Sequence, residues 1–218
     1  MKKIKIDLKK LYVLTWKYLL LNNYGNLQKS YPPSFCIRHF STDGKASIAR
    51  FNTTFISLNS NDSKLYPITS EIIFYTDTFL ERVSDLFKNR LSESDMNIFI
   101  MYFLIHEFMH YNDHLKYYIP TVTASSSPAS EKNYSIYIND MVGSKKTEQS
   151  ADTQALLILY NIVNDIEKLQ NTKILNFIYK NFIDQYQTEI FTFSKLGINP
   201  NVKNTDLYSK DEYSYEFV

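Results

Sequence analysis

The chain has 218 residues, 44% of them hydrophobic, with 18 Tyr and 15 Phe, and this content argues against a disordered chain. It suffices for one core, so we assign residues 1–218 to a single domain with an N-terminal helical segment (1–30) and a polar tail (200–218). Because 24 Lys and Arg nearly balance 23 Asp and Glu, the net charge is +1, and we expect no nucleic-acid partner.

Cysteine usage and hydropathy predict the compartment. Cys36 is the only cysteine, so no internal disulfide can form, which is typical of a reducing cytosol. On its apolar segment we expect Cys36 to be a buried core thiol. The apolar run 11–21 is interrupted by Thr15 and Lys17, and the run 98–105 is far shorter than the about 20 residues that span a bilayer. We therefore predict a cytoplasmic protein without a membrane partner.

The first half of the chain predicts one helix, then strands, then a second helix. Asp7 can cap a helix over residues 7–23, and the lysines between residues 2 and 10 are interpreted as its solvated face. Residues 35–59 are rich in strand-forming side chains around a turn signal at 41–44. Residues 72–75 form either a short strand or the start of a helix, and apolar spacing predicts a helix over 77–91.

The second half is predicted to be mainly helical. Ser92 or Ser94 caps a helix that reaches about Tyr118 and is apolar on most of its surface, so it should be buried. The remaining predicted elements are a loop (121–133), a short strand (134–138), two helices (146–168 and 172–195) and a frayed tail after residue 200. The predicted fold class is α+β, mostly helical, with a small antiparallel sheet packed on the helix that begins near residue 92.

That buried helix carries the pattern His106-Glu107-Phe108-Met109-His110. On an α-helix, His106 and His110 are about 40° and about 6 Å apart, so both imidazoles leave the same face. Two nitrogens at this spacing can take two corners of a tetrahedral zinc site, and burying the pair without a partner would be costly. Glu107 is placed to act as a general base on a water at an open metal position.

A zinc site with two histidines needs a third protein ligand. His114 continues the series, but it lies about 12 Å along the helix axis from His106, too far for both to bind one metal at about 2 Å. Glu148 is the preferred candidate, because it shares a helical face with Asp152 and the histidine pair lacks a partner. The alternative is a solvated acidic patch at a helix N-terminus. Fallback acids are Glu131 and Asp140.

The first motif, followed by Glu148 and Asp152 in the pattern Glu-x-x-x-Asp on a second helix, resembles the gluzincin clan of zinc metallopeptidases. The resemblance implies a zincin-like domain with one Zn²⁺ bound by His106, His110 and Glu148. It also implies that Asp152 accepts a hydrogen bond from the free ring N–H of one histidine. The short chain is similar to small intracellular members, such as ImmA/IrrE-like peptidases and Lit-like phage-exclusion peptidases.

The expected activity is zinc-dependent hydrolysis of peptide bonds in a restricted set of protein substrates. Glu107 would take a proton from the attacking water and pass it to the leaving amine. The resemblance implies that substrate adds as a strand to a sheet edge, here within 46–58. The oxyanion needs a further donor, for which the candidates are Tyr111, His114, Tyr134, Tyr137 and His39.

Two alternatives remain open. The first is the same chemistry in a toxin, effector or regulatory protease that acts on one host or phage protein, and an effector would be delivered to a host cytosol. The second is a non-catalytic domain in which zinc only stabilises the fold. Glu107 argues against the second alternative, because a structural site does not require a glutamate at this position.

Overall fold

The computed structural model describes residues 1–41, 47–57, 65–123, 144–167, 173–184 and 201–218. Within these ranges the strands are β1 (Lys2–Ile6), β2 (Ser34–Arg38), β3 (Ala49–Ser57), β4 (Leu65–Tyr75) and β5 (Tyr213–Phe217). The α-helices are α1 (Leu8–Leu21), α2 (Thr76–Phe87), α3 (Glu93–Thr123), α4 (Lys145–Glu167) and α5 (Lys173–Ile178). The predicted class, a mostly helical α+β fold with a small sheet, is confirmed.

The N-terminal segment is a strand followed by the predicted helix. Asp7 caps α1, because its side chain accepts a hydrogen bond from the Lys10 backbone N–H at 2.9 Å. The interpretation of residues 2–10 as one lysine-rich helix face was wrong for the first part. Residues 2–6 form β1 instead, since Ile4 and Ile6 alternate with exposed lysines and are buried in the core.

The C-terminal tail is ordered, in contrast to the frayed end that the sequence predicted. Its strand β5 pairs in parallel with β1, from Lys2 opposite Tyr213 to Ile6 opposite Phe217. The Tyr215 hydroxyl donates to the Leu91 carbonyl at 2.8 Å and accepts from the Leu91 N–H at 3.0 Å. The tail is therefore held by a strand partner and by the turn that precedes α3.

The second sheet has three strands in the order β2-β4-β3. The prediction of an antiparallel sheet holds for β3 and β4, but it was wrong for β2, which runs parallel to β4. The turn signal at 41–44 separates β2 from the strands that follow, but it does not say which of them is the partner of β2. In the structure the hairpin partner of β3 is β4, and β2 lies on the other side of β4.

Helix α3 is the centre of the core. Ser92 caps it, accepting from the Asp95 N–H at 3.2 Å and donating to the Asp95 carboxylate at 2.7 Å. The helix continues to Thr123, five residues beyond the predicted end. Buried side chains from both sheets and all five α-helices form one apolar cluster around it.

Helix α4 packs along α3 and agrees with the predicted helix at 146–168. The predicted helix 172–195 is helical from Lys173 to Ile183, with a π-helical turn at Tyr179–Ile183. Its remainder and most of the predicted loop and strand at 121–138 lie outside the described residues. No helix in the described ranges combines the length and the apolar character needed to cross a membrane.

Candidate metal centre

Helix α3, which carries the histidine motif, has two faces with different partners. Phe108 is fully buried, and its ring lies 5.1 Å from the ring of Tyr12 and 5.4 Å from that of Trp16, both on α1. This packing fixes the rotation of α3. It directs His106 and His110 to the side on which α4 packs, where both imidazoles are mostly buried.

Helix α4 brings the third candidate ligand to the histidine pair. Glu148 lies in the first turn of α4, and its backbone N–H donates to the Ser144 carbonyl at 3.1 Å. One carboxylate oxygen lies 3.3 Å from His106 Nε2 and the other lies 3.4 Å from His110 Nε2. The two Nε2 atoms are 3.0 Å apart.

These separations fit a tetrahedral metal. Ligands at about 2.0–2.1 Å from zinc lie about 3.3 Å from one another, close to the Nε2–Nε2 separation and to the distance from each Nε2 to its nearer Glu148 oxygen. Among the described residues, His106, His110 and Glu148 form the group whose ligand atoms all lie within 4.8 Å of one another. Two imidazoles and one carboxylate can therefore hold a metal ion at this point, and this donor set suits zinc.

Asp152 lies one helical turn after Glu148 on α4. It contacts His106 on the Nδ1 side of the ring, whereas Glu148 lies on the Nε2 side. Its Oδ1 lies 2.8 Å from His106 Nδ1 and also accepts a hydrogen bond from the Tyr102 hydroxyl at 2.7 Å. With the Nδ1 N–H directed at Asp152, His106 Nε2 faces Glu148 and His110, and it would offer a lone pair to a metal once its own proton is lost. The geometry that the resemblance implied for Asp152 is thus present, with His106 as its partner.

The electrostatics of the centre favour a cation. Burial lowers the pKa of His106, but hydrogen bonds to Asp152 and Glu148 and the charge of Glu107 outweigh burial and raise this pKa to about 10. Hydrogen bonds to His106 and His110 hold the pKa of Glu148 well below its usual range. In the metal-free protein, the imidazolium and the carboxylate thus stabilise each other's charged form.

Glu107 lies beside this group and has a contact that the sequence did not predict. Its side chain is buried, and its Oε2 accepts a hydrogen bond from the Phe51 backbone N–H at 2.5 Å. Phe51 is on β3, whose paired neighbour in the described sheet is β4. The Phe51 N–H therefore points away from β4 and toward α3, on the edge of β3 with which no described strand pairs.

The structure places the described oxyanion candidates as follows. Tyr111 directs its hydroxyl to the loop after α1, donating to the Tyr31 carbonyl at 2.9 Å, and burial raises its pKa. His114 is buried against Phe51 and Tyr111, away from the ligand group, and burial lowers its pKa to about 4. His39 is exposed and lies 3.3 Å from Asp77.

None of these three side chains joins the ligand group. The expectation that His114 is not a ligand agrees with the ligand group found among the described residues. Two other oxyanion candidates, Tyr134 and Tyr137, lie outside the described residues, as do the fallback acids Glu131 and Asp140.

Cys36 is not the buried core thiol that its apolar segment predicted. It is half-buried, and its Sγ donates to Glu71 Oε2 at 3.3 Å. Glu71 also accepts a hydrogen bond from Asn52 at 3.1 Å, so the three strands share a polar row across the sheet. The hydrogen bond to Glu71, followed by burial, raises the pKa of the thiol.

Two groups of the centre were missed by the sequence reasoning: Tyr102 and the Phe51 N–H. A signal existed for Tyr102, which precedes His106 by four residues and therefore lies on the same face of α3. No local signal marks the Phe51 N–H, because a backbone donor acquires its role only through the packing of β3 on α3.

Comparison with known proteins adds no relative. No family model matches the chain, and neither the curated proteins nor the solved structures include a match. The geometry of the centre is therefore the basis on which a function can be proposed.

Proposed function

We propose that the protein is a zinc-dependent metallopeptidase that hydrolyses peptide bonds in protein substrates. The observation that carries this proposal is the triangle formed by His106, His110 and Glu148, with the buried carboxylate of Glu107 next to it. Zinc bound there would polarise the scissile carbonyl and lower the pKa of a bound water. The single cysteine is consistent with action in a reducing cytosol.

Three other residues would have separate roles in catalysis, namely proton transfer, orientation of His106 and orientation of the motif helix. Glu107 would accept a proton from the attacking water and deliver it to the leaving amine nitrogen. Asp152 would hold His106 in the tautomer whose Nε2 is free to bind metal. The packing of Phe108 on α1 would keep both histidines directed toward α4.

The edge of β3 with which no described strand pairs supports a peptide as the substrate. An extended peptide can pair with the edge of a sheet through backbone hydrogen bonds, as the clan resemblance implied for residues 46–58. The Phe51 N–H at this edge already reaches the carboxylate of Glu107 at 2.5 Å. A peptide paired there would thus have a backbone amide beside the general base.

The same hydrogen bond favours one alternative, a metal domain without catalysis. Glu107 ties β3 to α3, so a glutamate at this position has a structural use that the sequence did not show. The presence of Glu107 alone therefore does not decide between a peptidase and a structural site. The two functions differ in one requirement. A peptidase needs the Glu107 carboxylate as a base, whereas a structural metal site does not.

The substitution Glu107→Gln separates them, because the amide oxygen still accepts from the Phe51 N–H while the side chain no longer takes a proton. We expect retained zinc and a fall in cleavage rate of about 10²–10⁴-fold. The measurement is a proteome-wide cleavage screen with wild type and variant, together with metal analysis of both. The matched control is Glu93→Gln, an exposed glutamate in the first turn of the same helix.

Equal cleavage by wild type and Glu107→Gln would rule out Glu107 as the base. A purified wild-type protein that binds zinc but cleaves nothing in this screen would favour the structural site. Absence of zinc binding by the wild type would overturn both functions.

A further inference from the structure

Tyr102 is a buried tyrosine whose hydroxyl serves the metal centre indirectly. It is 1% exposed and lies one helical turn before His106 on α3. Its hydroxyl and His106 Nδ1 both reach the same oxygen of Asp152, at 2.7 Å and 2.8 Å. One carboxylate oxygen on α4 thus accepts hydrogen bonds from two successive turns of α3.

The hydroxyl is not needed for packing. The ring of Tyr102 lies 5.2 Å from that of Phe103 and 5.3 Å from that of Phe182, in an aromatic environment that phenylalanine would fill equally well. A buried hydroxyl without a hydrogen bond destabilises the fold, so the hydrogen bond to Asp152 makes a tyrosine acceptable at this position.

The second donor restricts Asp152. A carboxylate held by one donor can swing about χ2 while keeping that hydrogen bond, because this torsion is broad, and the position of its accepting oxygen then varies. Because the Tyr102 hydroxyl and His106 Nδ1 both reach the same oxygen, that oxygen has to stay at one position to keep both hydrogen bonds. In that position the oxygen keeps its hydrogen bond to the Nδ1 N–H of His106, and His106 Nε2 stays directed toward Glu148.

We propose that Tyr102 is a positioning residue of the metal centre that acts on His106 through Asp152. This inference rests on the proposed function, since it assigns Tyr102 to the same zinc site. It goes beyond the histidine and carboxylate motifs, because Tyr102 belongs to neither of them. Its effect is on metal affinity and coordination geometry, and it needs no contact between the hydroxyl and a metal or a substrate.

The test is the substitution Tyr102→Phe, measured by zinc titration against a chromophoric chelator. Residues that orient a metal-binding histidine typically change metal affinity by about 10–100-fold, and we expect the lower end, about 10-fold, because Asp152 itself remains. We also expect a changed visible absorption spectrum of the Co²⁺-substituted protein, which a purely structural role would leave unaltered. The thermal transition of the metal-free variant gives its folded fraction, and affinities refer to folded protein.

The matched control is Tyr215→Phe, which removes the hydroxyl of a half-buried tyrosine, here one hydrogen-bonded to the backbone of Leu91. That variant should unfold more easily but bind zinc and Co²⁺ as the wild type does. A second comparison uses the Asp152→Ala background, in which Tyr102→Phe should have no further effect on zinc affinity, because the intermediate carboxylate is gone.

The outcomes separate this inference from the proposed function. Wild-type protein that does not bind zinc would refute the proposed function itself. Wild-type protein that binds zinc, with unchanged affinity and Co²⁺ spectrum in Tyr102→Phe, would refute the role of Tyr102 alone. If Tyr102→Phe lowered zinc affinity as much in the Asp152→Ala background as in the wild type, Tyr102 would not act through Asp152.

Discussion

His114 should make the protein less stable at mildly acidic pH. The imidazole is 3% exposed and packs against two aromatic rings, with its centroid 5.8 Å from that of Phe51 and 6.4 Å from that of Tyr111. Burial lowers its pKa to about 4, against about 6.5 for a histidine in an unfolded chain. Between these values the unfolded state binds a proton that the folded state does not bind.

The sign and size of the effect follow from proton linkage. Since the unfolded state holds more protons in this window, the free energy of unfolding rises with pH and falls as the solution is acidified. Between about pH 7.5 and about pH 5, the pKa shift of His114 removes about 2 kcal/mol of stability. The full loss, reached below the folded-state pKa, is about 3 kcal/mol.

The assay is urea unfolding of the metal-free protein, in the presence of a chelator, for wild type and His114→Gln at both pH values. The variant removes the titrating group, so the difference between the two unfolding free energies should change by about 2 kcal/mol over this pH range. His39→Gln is the matched control, because that imidazole is exposed and outside the aromatic cluster. A difference between wild type and His114→Gln that is constant with pH would refute the reasoning.

Two further predictions concern the third ligand and the loop after α1. The substitution Glu148→Ala should lower zinc affinity by more than the about 10–100-fold expected for a residue that only orients a ligand. Full zinc occupancy of that variant, measured by metal analysis, would point to another third ligand. Gly25→Ala should lower the free energy of unfolding by about 1–3 kcal/mol, because Gly25 has φ +57° and its new Cβ would collide with the Asn112 side chain. Urea unfolding checks this, and in the Asn112→Ala background the loss should be smaller, since the collision is gone.

The two halves of the candidate metal centre could be predicted because each depends on local spacing. His106 and His110 share a face of α3 by helical periodicity, and Glu148 and Asp152 share a face of α4 for the same reason. That the two helices meet does not follow from periodicity. It was expected because a buried histidine pair needs a partner, and the structure brings the carboxylate of Glu148 within 3.4 Å of both imidazoles.

The errors came from pairings between distant segments. The strand β1 pairs with β5 across almost the whole chain, and no local pattern contains that partner. Alternation of Tyr213, Tyr215 and Phe217 with polar residues was a signal for a half-buried strand in the tail. The acidic composition of the tail obscured that signal. In the structure two of the tail acids form ion pairs with Lys2 and Lys3 of β1. The parallel position of β2 likewise depends on tertiary contacts, since its turn signal does not determine the partner strand.

The charges around His106 give a further argument against a mere acidic patch. Three carboxylates, those of Glu107, Glu148 and Asp152, interact with this imidazole, and two of them are buried. Buried anions require compensating positive charge, and in the metal-free protein the proton on His106 supplies part of it. A solvated patch at a helix N-terminus would instead direct its carboxylates to water. Here the Glu148 carboxylate faces both Nε2 atoms, and Asp152 holds the Nδ1 side of His106, so these two carboxylates are directed at imidazoles.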